Sequence, residues 1–341
     1  MKFLIVLAMS FGLSAPAAAD GLKGLTVYSY LTPAFIQPVL DAFAFETGIP
    51  VHVEYMTAGQ LLDRLVEENG APEADVIFTM EALRLAKLVD ADVLQPVDSV
   101  VLEAAIPAKY RHPDGLWFGL SKWARTAFYS KYRVDPADLQ SYADLADDTW
   151  AGKVCVRTSN KIYVQSLLAS IIANEGEAAT RRFVDGLVSN FASEPVDLDL
   201  AQLQGIADGI CDVAIANTYY YGRLLPQIRD PETKRLLDAV GIVFLEQDGR
   251  GVHMNISGFA MTRKADNRAA ALQLMEYMIR PAAQRLYADP SMDHPIVPGL
   301  KPHDALAALG TFKEDDLAIH KLGTHYDLAE QISRDGNWLW K

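Results

Sequence analysis

The chain of 341 residues carries only two cysteines, Cys155 and Cys211, too few for the disulfide framework of a small secreted scaffold. Beyond its first stretch it has no apolar run of about 20 residues, the length needed to cross a bilayer as a helix. Basic residues are scarce, 31 against 44 acidic ones, for a formal net charge of −13. That surface argues against nucleic acid and anionic lipid as partners and leaves cationic ligands open. G-x-S-x-G, G-x-G-x-x-G and Walker A loops are missing, which removes the commonest marks of a hydrolase, a dinucleotide enzyme and an NTPase. The seven histidines include no H-E-x-x-H and no i, i+4 pair, so no zinc site is indicated. His253 and His294 are expected to be solvent-facing or loop residues. No Gly/Ser-rich or Pro-rich linker and no internal repeat breaks the chain.

What is present starts with Met1-Lys2, an apolar run from Phe3 to Leu13, and an A-x-A site at Ala17 and Ala19. This reads as a secretory signal over residues 1–19, with the mature chain beginning at Asp20. Losing Lys2 takes the net charge from −13 to −14 (−13 − 1). In an exported chain a lone cysteine pair is expected to be a disulfide. Joining Cys155 to Cys211 is worth roughly 4 kcal/mol in the chain-entropy model, and it would tie the strand leading to Tyr219 to the segment around Tyr163.

The remaining residues of this half-apolar chain suffice for two domains with their own cores. Strand-like stretches at 25–30, 49–55 and 75–79 alternate with helical periodicity at 33–47, 58–68 and up to 91. That alternation implies βαβ units and a parallel sheet. From 117 the pattern changes, and a second α/β block follows, with strands at 124–130, 153–157 and 211–216 and helices at 166–174, 177–187 and 201–207. Strand-like stretches at 240–245 and 255–261 and helices at 268–279 and 282–288 come later. Ligands of such sheets bind beyond the carboxyl ends of strands, and two domains face to face make a cleft.

The run Asn217-Thr218-Tyr219-Tyr220-Tyr221 follows the apolar Val213-Ala214-Ile215-Ala216 and reads as the end of a buried strand delivering hydroxyls into that cleft. A buried phenol needs a hydrogen-bond partner or a metal. Packing in the core is the ordinary role of such tyrosines, and a hard cation held by paired oxygens is the other.

The sequence resembles the ferric-iron-binding periplasmic proteins of bacterial ABC importers. The resemblance is carried by Val27-Tyr28-Ser29-Tyr30, FAFETG (43–48), Ala74-Asp75-Val76-Ile77, Trp117-Phe118-Gly119-Leu120-Ser121, GKVCVR (152–157), the stretch 159–167 containing Tyr163, 209–220 with NTYY, and Asn255-Ile256-Ser257-Gly258. It implies an α/β, two-lobed type II periplasmic binding protein fold with a hinge and an interlobe cleft. The lobes would be 20–124 with about 250–300, and 125–249 with about 301–341. It also implies a binding subunit, not an enzyme, that delivers Fe(III) in the periplasm to an inner-membrane ABC permease. Tyr163, Tyr219 and Tyr220 match that family's Fe(III) ligands; Tyr221 does not and is expected in the core or at the rim. Fe(III) suits hard oxygen donors and draws phenol protons off at neutral pH. Three phenolates balance its charge, and a synergistic anion could complete the shell with Arg125 or Arg223 as counter-charge. One cleft per chain needs no second subunit, so a monomer is expected.

The sequence also departs from that family. Where relatives often have His or Tyr after the first strand, Leu31-Thr32-Pro33 stand, so the first lobe's ligand is either missing or replaced by Tyr30. Trp123 occupies the place of an arginine, Val164 that of an asparagine, and 193–199 reads SEPVDLD in place of a basic, glycine-rich stretch. An alternative reading follows from these changes: Trp123, Tyr30 and the tyrosine cluster forming an aromatic box for an organic cation.

Overall fold

A computed structural model of the protein describes residues 24–68 and 72–338; the expected signal at 1–19 lies outside them. The first block is β1 (Leu25–Ser29), α1 (Pro33–Thr47), β2 (Val51–Tyr55), α2 (Ala58–Glu67), β3 (Val76–Met80), α3 (Ala82–Asp90) and a short α4 (Val100–Ala105). Gly48 ends α1 in a left-handed conformation, φ 72°, and its N–H closes the last turn on the Ala44 carbonyl, a conformation that costs glycine least. The second block holds β4 (Phe118–Ser130), β5 (Val154–Cys155), α5 (Ile162–Glu175), α6 (Glu177–Ser189), α7 (Asp199–Ala207), β6 (Val213–Asn217), α8 (Thr218–Leu224), α9 (Pro231–Ala239) and β7 (Val240–Val243). The chain ends with β8 (Met254–Met261), α10 (Arg268–Met278), α11 (Pro281–Ser291), β9 (His294–Pro295), α12 (Asp304–Ala307) and α13 (Tyr326–Asp335).

The strands lie in the order β2-β1-β3-β8-β4-β6-β5, with β7 and β9 also on β4. The fold is the two-lobed α/β one, but its sheet is not simply parallel. β1 pairs in parallel with β2 and β3, whereas β8 runs antiparallel to both β3 and β4. A strand returning late in the chain enters without a crossover helix, so local alternation of elements cannot reveal its direction.

β4 joins the halves. Its residues 118–124 pair with β8, and from Arg125 onward its partners are β6 and β7. The strand is buried along almost its whole length, reading as a continuous apolar run where both faces are covered. The expected 124–130 strand is therefore the second half of a longer one. Cys155 and Cys211 are joined as a disulfide that links the end of β5 to the approach of β6. Among the described residues no helix is long and apolar enough to cross a membrane.

Candidate metal centre

β6 is buried at every position and stops at Asn217. The Asn217 N–H donates to Asp199 Oδ2 at 3.0 Å, and Asn217 Oδ1 accepts from Arg125 Nη1 at 3.0 Å. With those groups consumed the chain turns, and Thr218 opens α8. Tyr219 and Tyr220 therefore sit in the first turn of a helix just past the carboxyl end of the strand, not on the strand as the apolar run suggested. Tyr163 is the second residue of α5, which follows the β5 loop. Both helix starts face the same side, so Tyr219, Trp123, Met292 and Leu306 form one buried cluster with Met80, Tyr163 and Tyr220 packed on it.

The rings of Tyr219 and Tyr220 lie 4.7 Å apart, and the Trp123 indole meets Tyr219 edge-on at 5.5 Å. Tyr219 OH accepts from Asn217 Nδ2 at 2.9 Å. Among the described residues Tyr163 OH finds only the weakly accepting thioether of Met80, at 3.3 Å, so no strong acceptor there competes for it. Tyr30, just past β1, lies under the Arg84 guanidinium at 4.4 Å, and the same guanidinium reaches the Tyr163 ring at 6.0 Å. Tyr30 thus joins the group from the first block. Tyr221 is separate: it is buried and donates to the Val240 carbonyl at 3.0 Å.

The two expected counter-charges behave differently. Arg223 lies over Tyr219 at 4.6 Å and over Phe35 at 5.1 Å, and its Nε donates to the Ser291 carbonyl at 3.0 Å. Arg125 points behind the cluster, donating to Asp199 Oδ2 at 3.0 Å, to Asn217 and to the Ile215 carbonyl at 3.1 Å. Its route to Tyr219 runs through Asn217. Sequence reasoning missed Arg157, whose buried guanidinium lies 5.2 Å from the Tyr163 ring and 3.4 Å from Asp199 Oδ1. Among the described residues its Nε and Nη1 find no hydrogen-bond partner. Its place at the end of GKVCVR, six residues before Tyr163, was the available signal. Arg84 and Asp199 had none.

Burial pushes the Tyr163 phenol up to about 12, the guanidinium of Arg84 working against that rise and Tyr30 and Tyr220 adding to it. Burial also raises Tyr219 well above the ordinary phenol value, and Tyr163, Tyr220 and Asp199 add to the rise. Each phenol therefore makes its neighbour harder to ionise until a cation arrives. Among the described residues no group of three or more His, Cys, Asp or Glu could hold a metal. His253 is not solvent-facing: it is buried beside β8, and burial lowers it to about 3, with Arg250 and Arg125 adding to the effect. His294 is half-buried in β9 and lowered to about 4 by burial and by Lys122. What the site offers is a set of phenolic oxygens, ringed by guanidinium groups.

Residues 28–285 match the family model described as bacterial extracellular solute-binding protein. The chain is 38% identical over 296 residues to iron uptake protein A1 of Synechocystis, covering 87% of this chain and 82% of that one. The solved Trichodesmium protein IdiA (FutA), in complex with iron and citrate ligands, superposes with a TM-score of 0.89 at 36% identity, over 93% of this chain and 100% of that one. Apo FutA2 from Synechocystis superposes with a TM-score of 0.88 at 38% identity, over 93% and 99%. The chain belongs to the bacterial extracellular solute-binding protein family.

Proposed function

We propose that this protein binds Fe(III) in the cleft between its lobes through Tyr163, Tyr219 and Tyr220, and hands it to an inner-membrane ABC permease. The observation that carries the reading is the use of the ring faces. Guanidinium groups lie against Tyr30, Tyr163 and Tyr219, so an organic cation finds those faces taken and repelled, while the hydroxyl edges stay available to a metal. The names of the relatives point the same way: iron uptake for one, an iron complex for another. Tyr30 supplies the first lobe's oxygen, and a small anion completes the shell beside Arg223. The signal at 1–19 is cleaved, the mature chain works as a monomer, and the lobes divide at 124/125 and again near 250 and 300. The change of β4 partners after Ala124 supports the first of these divisions.

The test is a visible titration of metal-stripped protein with chelated Fe(III), alongside the Tyr219→Phe/Tyr220→Phe variant. A saturable phenolate-to-iron band near one ion per chain, lost in the variant, is expected. A protein that stays colourless and retains no iron on a desalting column refutes the reading.

A further inference from the structure

Glu81 is the first residue after β3 and caps α3, accepting from the Leu83 N–H at 3.0 Å. It is fully buried, and its backbone takes φ 86°, a left-handed value unusual for any residue but glycine. Its Oε1 accepts from two groups, the Asn255 amide of β8 and the Ser166 hydroxyl of α5. Asn255 cannot turn round, because its Oδ1 already accepts from the Ala82 and Ile256 N–H groups at 2.9 and 2.8 Å. The carboxyl is thus surrounded by donors, a demand that an acceptor-only carboxylate meets and an amide does not. Burial raises its pKa, and the hydrogen bonds from Ser166 and Asn255 together with the charge of Arg84 oppose that rise.

Ser166 is one helical turn beyond Tyr163, on the same side of α5. Met80, the residue before Glu81, is the one whose sulfur meets the Tyr163 hydroxyl. Two adjacent residues of the first block therefore grip one turn of a helix of the second, and that turn carries a phenol of the candidate centre. We infer that Glu81 and Ser166 form a latch between the lobes that sets the position of Tyr163. Glu81 acts here as a positioning residue and does not touch the metal. The inference rests on the proposed iron function but has a readout independent of it. A left-handed backbone at a buried carboxylate is retained only where the surroundings over-determine it, and the latch supplies the reason.

The experiment compares the wild type with Ser166→Ala, which removes the bond between the lobes, and Ser166→Thr, which keeps the hydroxyl. Glu81→Gln is the second probe, since it sets an NH2 against the donors. Each is measured iron-free by hydrogen exchange of the first α5 turn, and iron-loaded by the position of the visible band and by chelator competition. For Ser166→Ala the expected results are faster exchange confined to that turn, a shifted band and roughly tenfold weaker iron retention, the size of one hydrogen bond to a charged group. Ser166→Thr should restore all three. Glu81→Gln should reproduce the band shift. Unchanged exchange, band and retention in Ser166→Ala overturn the latch. Loss of thermal stability without a band shift overturns it too, since a merely structural contact would do that. If the wild type itself takes up no iron, the iron reading falls, and the exchange comparison of Ser166→Ala with Ser166→Thr still decides the latch.

Discussion

Iron uptake by this site should release three protons for each ion bound. With the Tyr163 phenol at about 12 and Tyr219 raised well beyond the ordinary value, both keep their protons in the empty site at neutral pH. Ionising Tyr163 alone at pH 7 costs roughly 7 kcal/mol, five pH units at about 1.36 each, and the metal must offset this through the bonds it forms. Three phenolates displace three protons, so apparent affinity for the aquated ion should rise up to about a thousandfold per pH unit below neutrality. The measurement is proton release in lightly buffered protein near pH 7, read with an indicator dye. Fe(III) is added as a chelate whose own proton balance is known and subtracted. Tyr163→Phe should reduce the count by one. A corrected release of one proton or none would refute the phenolate donor set, whatever colour the protein shows.

Two further perturbations follow from the second block. The Cys155–Cys211 bridge closes a loop of 56 residues, so in the chain-entropy model replacing both by alanine should cost about 4 kcal/mol and lower Tm by about 6 °C for a protein of this size. A shift under about 2 °C in calorimetry would show that the bridge constrains little in the unfolded chain. Arg157→Gln removes the cation facing Tyr163 and should weaken iron retention about tenfold with a small loss of fold stability, Arg157→Lys falling between. Retention equal to the wild type in chelator competition would remove Arg157 from the site.

Most of the elements were legible because their apolar periodicity is local. The helix over Pro33–Thr47 and the strand at Val51–Tyr55 follow from residues within one window and one stop at Gly48. The direction of β8 was not legible, since nothing within Met254–Met261 encodes which neighbour it pairs with. At the site the phenols stood out as a run of unusual composition. Their supports did not. Asp199 lies at the start of α7, 18 residues before Asn217, and Arg84 is one of several charged residues on an amphipathic helix. Only the fold shows which of those charges turn inward. Tyr219 was misplaced by a single residue of context, because the hydrogen bonds that end β6 at Asn217 come from Arg125 and Asp199, both distant in sequence.

The charges around the phenols bear on what completes the shell. Arg84, Arg157 and Arg223 face the tyrosine rings, and Arg125 stands one residue behind them through Asn217. Asp199 is the carboxylate that answers both Arg125 and Arg157. Glu81 is a second, beside Arg84 and close enough to act on Tyr163. Four guanidinium groups against those two carboxylates leave this inner set at about +2 (4 − 2), a balance unaltered when one Fe(III) meets three phenolates. A site so charged would hold a bare cation poorly in a poorly hydrated cleft. It favours phenol ionisation and a further negative donor, which makes each added anion a gain in two ways, to the metal and to the arginines. On the proposed reading Tyr30, already under Arg84, offers its oxygen from the first lobe, and a dissolved anion beside Arg223 supplies the further negative charge. The same excess of positive charge explains why an acidic protein can carry a pocket hostile to organic cations: the sign of the whole surface governs encounter, whereas the guanidinium groups within a few ångströms govern what stays bound.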